Sequence, residues 1–363
     1  AMYFGLSEEQ EFFQESLLKY LNDAAPVESI REYANGNHEN LTQDIHQGLL
    51  DLGVNALIIP EDFGGLGLDL LFAAAVSQSL GSGIAPATYI GSHIMAPLAI
   101  MEAGSGDQKD EYLTSMANSK MRFGIGVTEF IGAREDAGIV LESGKASGRT
   151  LFVIDGAGAT HYLLSDNKGV LFVVDAKDSG ITKIPLMTID KTRTSLELVL
   201  EDVPTEILKG SVEDQDPIKK IIDAGRVMIA ADSLGAAQVM IDKSVEYAKE
   251  RKQFGRPVGS FQAVKHMCAQ MAADLEPCYS MVWYSAHCQN HIPEEARLFA
   301  CHTKAHVSEV ATSIAKTATE VHGGMGFTDL LGLHYWFKRI GINRQLLGGP
   351  ELIREEAAQL QNF

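Results

Sequence analysis

The run "PIKKIIDAGRVMIAADSLGAAQVMIDKSVEYAKERKQFG", Pro217 to Gly255, decides the fold. Proline suits a helix start, where its missing N–H is not needed, and glycine suits a helix stop. Between them, apolar or small residues take up most of the circumference. Such a helix belongs at the centre of a bundle. Further helices are expected over 259–290, 293–322 and 350–361. A polar, acidic linker, "KGSVEDQDP" (209–217), precedes the long helix. Before the linker the period changes. From about 120 to 208, short β-rich runs such as "RTLFVID", "GVLFVVDA" and "TSLELVLEDV" alternate with Gly, Asp, Asn and Ser. Leu196, Leu198 and Leu200 alternate with Glu197, Val199 and Glu201, as in a half-buried antiparallel strand. Residues up to about 115 return to a helical period. There Ser7 and Gln10 make a capping-box pattern ahead of Phe13, Leu17 and Leu21. The expected class is α+β: a helical domain (1–117), a central antiparallel β domain of sandwich or barrel type (118–210), and a C-terminal four-helix bundle (211–363).

Composition excludes some functions. The formal net charge is −18, which argues against binding a phosphate backbone or an anionic lipid surface. No apolar run approaches the roughly 20 residues of a membrane span, and no leader pattern opens the chain. The four cysteines, Cys268, Cys278, Cys288 and Cys301, have no metal-ligand spacing and read as buried free thiols of a reducing cytoplasm. His287/His291 and His302/His306 have i,i+4 spacing but no third ligand, so no metal is expected. There is no βαβ alternation and no GxGxxG, which argues against a Rossmann site.

Two blocks carry chemistry. In "ERKQFGRPVGSFQAVKHMCAQM" (250–271), Arg251, Lys252 and Gln253 sit at a helix end beside a Phe-Gly turn, and a new helix opens near Ser260. This suits a pyrophosphate. An ordinary helix end with its usual cations is the plainer alternative. In "EVHGGMGFTDLLGLHYWFKRI" (320–340), Gly323, Gly324 and Gly326 permit close backbone approach, or simply cap a helix.

Together with "LSEEQEFF", "LGVNALIIPEDFGGLGLDL" and "VTE" near 128, these blocks resemble the acyl-CoA dehydrogenase family in order and spacing over essentially the whole chain. The resemblance implies FAD, held between the β domain of one subunit and the C-terminal helices of its neighbour. It implies oxidation of an acyl-CoA thioester to the 2,3-enoyl-CoA, with a glutamate removing the α proton, and electron transfer onward to an electron-transfer flavoprotein. By motif position, Arg251, Gln253 and Phe254 would hold the pyrophosphate and adenine half of a neighbour's FAD. Gly323 and Gly324 would let it approach. Glu320 stands where the family usually has Gln.

Three departures matter. The family's usual base lies in a Tyr-Glu-Gly-Thr turn, matched here by Leu347-Gly348-Gly349-Pro350. The alternative base position, on the long helix before an Arg, is Gly225. Both are glycine, so this chain offers no catalytic residue at either. The flavin-facing loop after Thr128-Glu129 reads "FIGARED" in place of Pro-x-Ala-Gly-Ser-Asp, and the Trp-Ile-Thr strand that meets the flavin is matched by Phe152-Val153-Ile154. The expectation is the base-less subunit of a heterotetramer. A homologous partner would bring the Glu, and the substrate would be a CoA thioester of the steroid side-chain kind. The alternatives are a homomeric dehydrogenase or oxidase with a displaced base, and a structural or CoA-binding subunit. Asp223, Glu351 and Glu355 are the carboxylates available for a rescue; Asp223 is roughly 200° around the helix from Gly225.

Overall fold

The computed structural model describes residues 5–38, 40–132, 138–329 and 331–363. The N-terminal part comprises α1 (Glu8–Ala24), α2 (Val27–Ala34), α3 (Leu41–Asp51), α4 (Leu70–Ser82), α5 (Ala96–Ala103) and the short α6 (Gly106–Gln108) and α7 (Thr114–Ala117). The Ser7–Gln10 capping box forms, and Leu17 and Leu21 on the inner face of α1 are buried. Asp69 caps α4 through the Phe72 N–H.

The central part opens with β1 (Phe123–Gly126), then α8 (Thr128–Ile131), a single turn of helix. β2 (Gly138–Glu142), β3 (Lys145–Ile154), β4 (His161–Ser165), β5 (Leu171–Asp175), β6 (Ile181–Leu186), β7 (Ser195–Pro204) and β8 (Glu206–Ile207) complete one eight-stranded sheet, ordered β6-β7-β3-β1-β4-β5-β8, with β2 on β3. The pairs are antiparallel apart from β1–β4. Leu196, Leu198 and Leu200 of β7 are buried, as the alternation predicts, but Glu197 between them is buried as well and pairs with Arg149 (2.9 Å).

The C-terminal part is built on α9 (Asp216–Glu250). Every residue from Ile221 to Ala237 is buried, so the all-round apolar pattern does place this helix at the centre. It lies so close to α4 that a Cβ on Gly81 would fall 1.9 Å from the Asp232 carbonyl oxygen, and one on Gly235 1.9 Å from that of Gln78. Only glycine permits that approach. A small hairpin follows, β9 (Lys252–Gln253) and β10 (Arg256–Pro257), then α10 (Gln262–His291), α11 (Pro293–His322), α12 (Leu333–Gln345) and α13 (Pro350–Leu360). α12 is an addition to the expected four helices. Its Gly-rich, aromatic sequence hides the period, but Leu333, Tyr335, Trp336, Arg339, Ile340 and Asn343 are buried. Cys278, Cys288 and Cys301 are buried free thiols. Among the described residues, no helix is long and apolar enough to cross a membrane, and no group of three or more His, Cys, Asp or Glu could hold a metal.

One buried histidine makes stability sensitive to acid. His93 lies in a π-helical segment (Ile90–Met95) and its ring stacks 6.3 Å from that of His46 on α3. Burial lowers the His93 pKa to about 3, with His46 and Arg122 adding to the effect. The neutral ring is the folded form. Its contribution is therefore complete above the unfolded value near 6.5 and is lost as pH falls towards 3. Between pH 7 and pH 5 this costs about 2 kcal/mol. We expect the melting temperature to fall less over that interval in His93→Leu than in the unaltered chain. Equal falls would show that His93 does not carry the dependence.

Candidate functional site

The hairpin after α9 turns on Phe254 and Gly255, whose φ values are 52° and 77°. Gln253 pairs with Arg256 and Lys252 with Pro257, leaving a two-residue loop. Two positive φ values are what such a loop needs to match strand twist, but phenylalanine is a costly choice for one of them. The turn thrusts Phe254 outward, 92 % exposed. Arg256 lies 3.9 Å over the Phe261 ring, tying the hairpin to the start of α10. Arg251, Lys252 and Gln253 are exposed, and among the described residues Arg251 makes no ion pair. The sequence therefore places a cation, an amide and an apolar ring on one rigid, strained, outward-facing turn.

The glycine block lies beside it. Tyr247, one helical turn before Arg251, packs its ring 4.7 Å from that of His322, the last residue of α11. Gly323 follows at φ 57°, and Gly323 and Gly324 both face open space. Glu320 is exposed on the same helix end. Arg251, Gln253, Phe254, Gly323, Gly324 and Glu320 are thus gathered at one end of the α9–α11 pair. They offer an exposed cation, an exposed amide and open glycine backbone, the kinds of group that can cradle a diphosphate.

The two base positions lie elsewhere, at a junction of α9, α12 and α13. Leu347 and Gly348 both have positive φ, 58° and 106°. A Cβ on Gly348 would sit 3.3 Å from Arg226 Nη2 and 3.2 Å from Leu352. A Cβ on Gly225 would sit 2.6 Å from Leu347 Cδ1 and 2.7 Å from Met95 Sδ. Neither glycine has open space beside it: a Cβ at Gly225 would push the side-chain ends of Leu347 and Met95 aside, and one at Gly348 would be tight against Leu352, Arg226 and Ile353. Cations hold the turn. Arg226 donates to the Leu347 carbonyl (2.9 Å) and makes a two-pronged contact with Glu356 (2.6 and 3.1 Å). The Lys304 ammonium, fully buried, donates to the carbonyls of Arg344 (3.0 Å) and Gly348 (3.2 Å). Burial, helped by Arg226 and Arg344, brings its pKa down to about 7.

The candidate rescuing carboxylates do not reach this turn. Glu351 and Glu355 are exposed. Asp223 accepts from Arg297 Nε (3.1 Å) and lines a cavity of about 320 Å³ with Phe130, Ile131, Arg226 and Glu356. Burial raises its pKa to about 6 against the pull of Arg297 and Arg226. The carboxylate that matters most to the turn, Glu356, escaped the sequence reading. Its signal was weak, since it is one of several acids on a short amphipathic helix.

Ile154, matched by motif position to the strand residue that meets the flavin in the family, lines a second, narrower cleft between sheet and helices, with a volume of about 30 Å³. Asp155, Asp190, Arg193, Asp232 and Arg339 also line it. That is room for a water or two, against the roughly 300–1,000 Å³ of ordinary ligand pockets. The adjoining Thr128-Glu129 begins α8, where Thr128 Oγ1 donates to the Phe152 carbonyl and Glu129 accepts from the Leu151 N–H. Of the "FIGARED" segment, Ala133 to Asp136 lie outside the described residues. Among the described residues, Arg251 and the open Gly323–Gly324 backbone are groups suited to a diphosphate, whereas the cleft at Ile154 is too narrow for a flavin ring.

Comparison with known proteins identifies the family. Residues 7–120 match the model of the acyl-CoA dehydrogenase N-terminal domain, and residues 216–359 that of the C-terminal domain. Acyl-CoA dehydrogenase IpdE2 of Mycobacterium tuberculosis is 31% identical, over 84% of this chain and 82% of its own. IpdE2 of Mycolicibacterium smegmatis is 27% identical, over 98% of this chain and 99% of its own. The solved structure of a Tcur3481–Tcur3483 steroid ACAD variant superposes with a TM-score of 0.87 at 26% identity, covering 98% of each chain.

Proposed function

The chain belongs to the acyl-CoA dehydrogenase family, and from that premise we propose that it is the base-less subunit of a heterotetrameric, FAD-dependent acyl-CoA dehydrogenase. Family members are oxidoreductases. In this reading a homologous partner brings the catalytic glutamate and the flavin-ring pocket, and this chain completes the partner's FAD site. The observation that carries it is the closure of both base positions. Gly225 and Gly348 are packed by Leu347, Met95, Leu352 and Arg226, so neither position waits for a carboxylate. What supports the second half is the exposure of Arg251, Gln253 and Phe254 and the open space at Gly323 and Gly324, none of which lines the cleft at Ile154.

When bound in the partner, FAD supplies the oxidant for α,β-desaturation of an acyl-CoA. This chain's part is to hold the diphosphate, with the Arg251 charge and the Gly323–Gly324 backbone against it. Glu320 at the rim adds a like charge, so it works against an anion there unless a partner cation meets it. We assign the substrate to bulky CoA thioesters of the steroid side-chain kind, supported by the likeness to the steroid ACAD structure. An electron-transfer flavoprotein is the acceptor this reading assigns.

Arg251→Ala in the co-purified complex tests the cradle. A charge-assisted contact to phosphate contributes about 1.5–3 kcal/mol, so FAD should bind about 10- to 150-fold more weakly. Arg251 is exposed, so folding should be unaffected. Unchanged flavin affinity would remove the residue from the site.

A further inference from the structure

We propose that a buried ion network, and not a flavin ring, permanently fills this chain's own sheet–helix junction. The proposal rests on the reading that Ile154 marks the family's flavin position, and it deepens the account of which half of the cofactor this chain serves.

The network begins on α12. Arg339 grips Asp232 of α9 with two bonds, Nε to Oδ1 (2.9 Å) and Nη2 to Oδ2 (2.6 Å). Its third nitrogen donates to the Ala85 carbonyl (2.9 Å) and to Thr192 Oγ1 (3.2 Å). Asn343 adds a bond to Asp232 (2.8 Å). From the sheet side, Arg193 pairs with Asp190 (3.0 Å), reaches Asp232 (3.9 Å) and donates to the Arg339 carbonyl (3.3 Å). Asp155, at the end of β3, accepts from the N–H groups of Tyr89 (3.0 Å), Gly91 (2.8 Å) and Ser92 (3.1 Å).

Three properties make this a filler and a lock. First, it joins all three parts of the chain: Ala85 and Tyr89 to Ser92 from the N-terminal part, Asp155 and Asp190 to Arg193 from the sheet, and Asp232, Arg339 and Asn343 from the C-terminal helices. Second, Asp232 pairs with Arg339 and Asp190 with Arg193 inside the protein, while Asp155 is met by backbone N–H groups. Asp232 and Arg339 are 1% and 3% exposed, so separating them to admit a ring would strand two buried charges. Third, the remaining space is about 30 Å³, and Ile154 has no side-chain hydrogen bond to offer a ring nitrogen. A flavin ring would have to break a satisfied network and gain an aliphatic contact in exchange.

The test separates the two halves of FAD on the full-length lone chain. ADP carries the half that the exposed cradle would hold, and FMN carries the ring. The network predicts no saturable FMN binding up to about 1 mM, and FAD binding within about threefold of ADP. Saturable FMN binding, or FAD binding far tighter than ADP, overturns the proposal. The ADP arm reports separately on the cradle: ADP binding that is absent, or unaltered by Arg251→Ala, counts against the cradle and leaves the closed junction standing. The lock has its own readout. Arg339→Met and Asp232→Asn should each lower the melting temperature, and the double variant should lower it by clearly less than the sum. Additive effects would show that the two residues do not act as one element.

Discussion

Gly348→Glu restores the acid of the family's usual base turn and is expected to yield a less stable chain with no measurable acyl-CoA dehydrogenase activity of its own. Backbone strain is one reason. At φ 106° any side chain is strained, at a cost of about 1–3 kcal/mol. Crowding adds to it, with Leu352, Arg226 and Ile353 all 3.2–3.3 Å from the new Cβ. Electrostatics is another. A carboxylate built there would lie beside Arg226 and close to Lys304, and those cations would hold its pKa low. A useful α-proton base needs the reverse, an apolar site that raises the pKa towards neutrality. The last reason is space: the cleft at Ile154 has no room for the oxidant. The melting temperature should drop by several degrees and turnover by the lone variant should stay at background. Gly225→Glu should destabilise still more, because its Cβ would fall within 2.7 Å of both Leu347 and Met95. Robust desaturation by a lone Gly348→Glu chain would mean that the junction opens in solution and that only the carboxylate was missing.

Much of the architecture was legible because its signals are local and repeated. The all-round apolar run of α9, the capping box at Ser7 and the alternation in β7 each report the environment of a single element. α12 was not legible, since Arg339 and Asn343 interrupt the apolar residues of its buried face and break the hydrophobic period. The two glycines matched to the family's base positions come from motif order and spacing alone. What could not be read was whether they were vacant or closed. That depends on Met95, Leu347 and Leu352, side chains that meet only in the folded chain. The ion network was invisible for the same reason. Asp232 and Arg339 are 107 positions apart, and in the sequence Asp232 looks like a polar interruption in an apolar helix. Buried charges at long sequence separation leave no periodic trace.

The second large effect concerns assembly. On the proposed reading the chain lacks a base and a ring pocket of its own and offers only the diphosphate contacts of a partner's site. Activity should therefore appear only when a homologous chain supplies the glutamate and the ring pocket. The expected change is from background to full turnover, larger than any single substitution in this chain should produce. The most direct measurement is a flavin count and acyl-CoA turnover assay on this chain purified alone and co-purified with a homologous partner. The account predicts a colourless, inactive lone chain and a yellow, active complex holding half as many flavins as chains. A lone chain that is yellow, carries one FAD per copy and desaturates an acyl-CoA would contradict it.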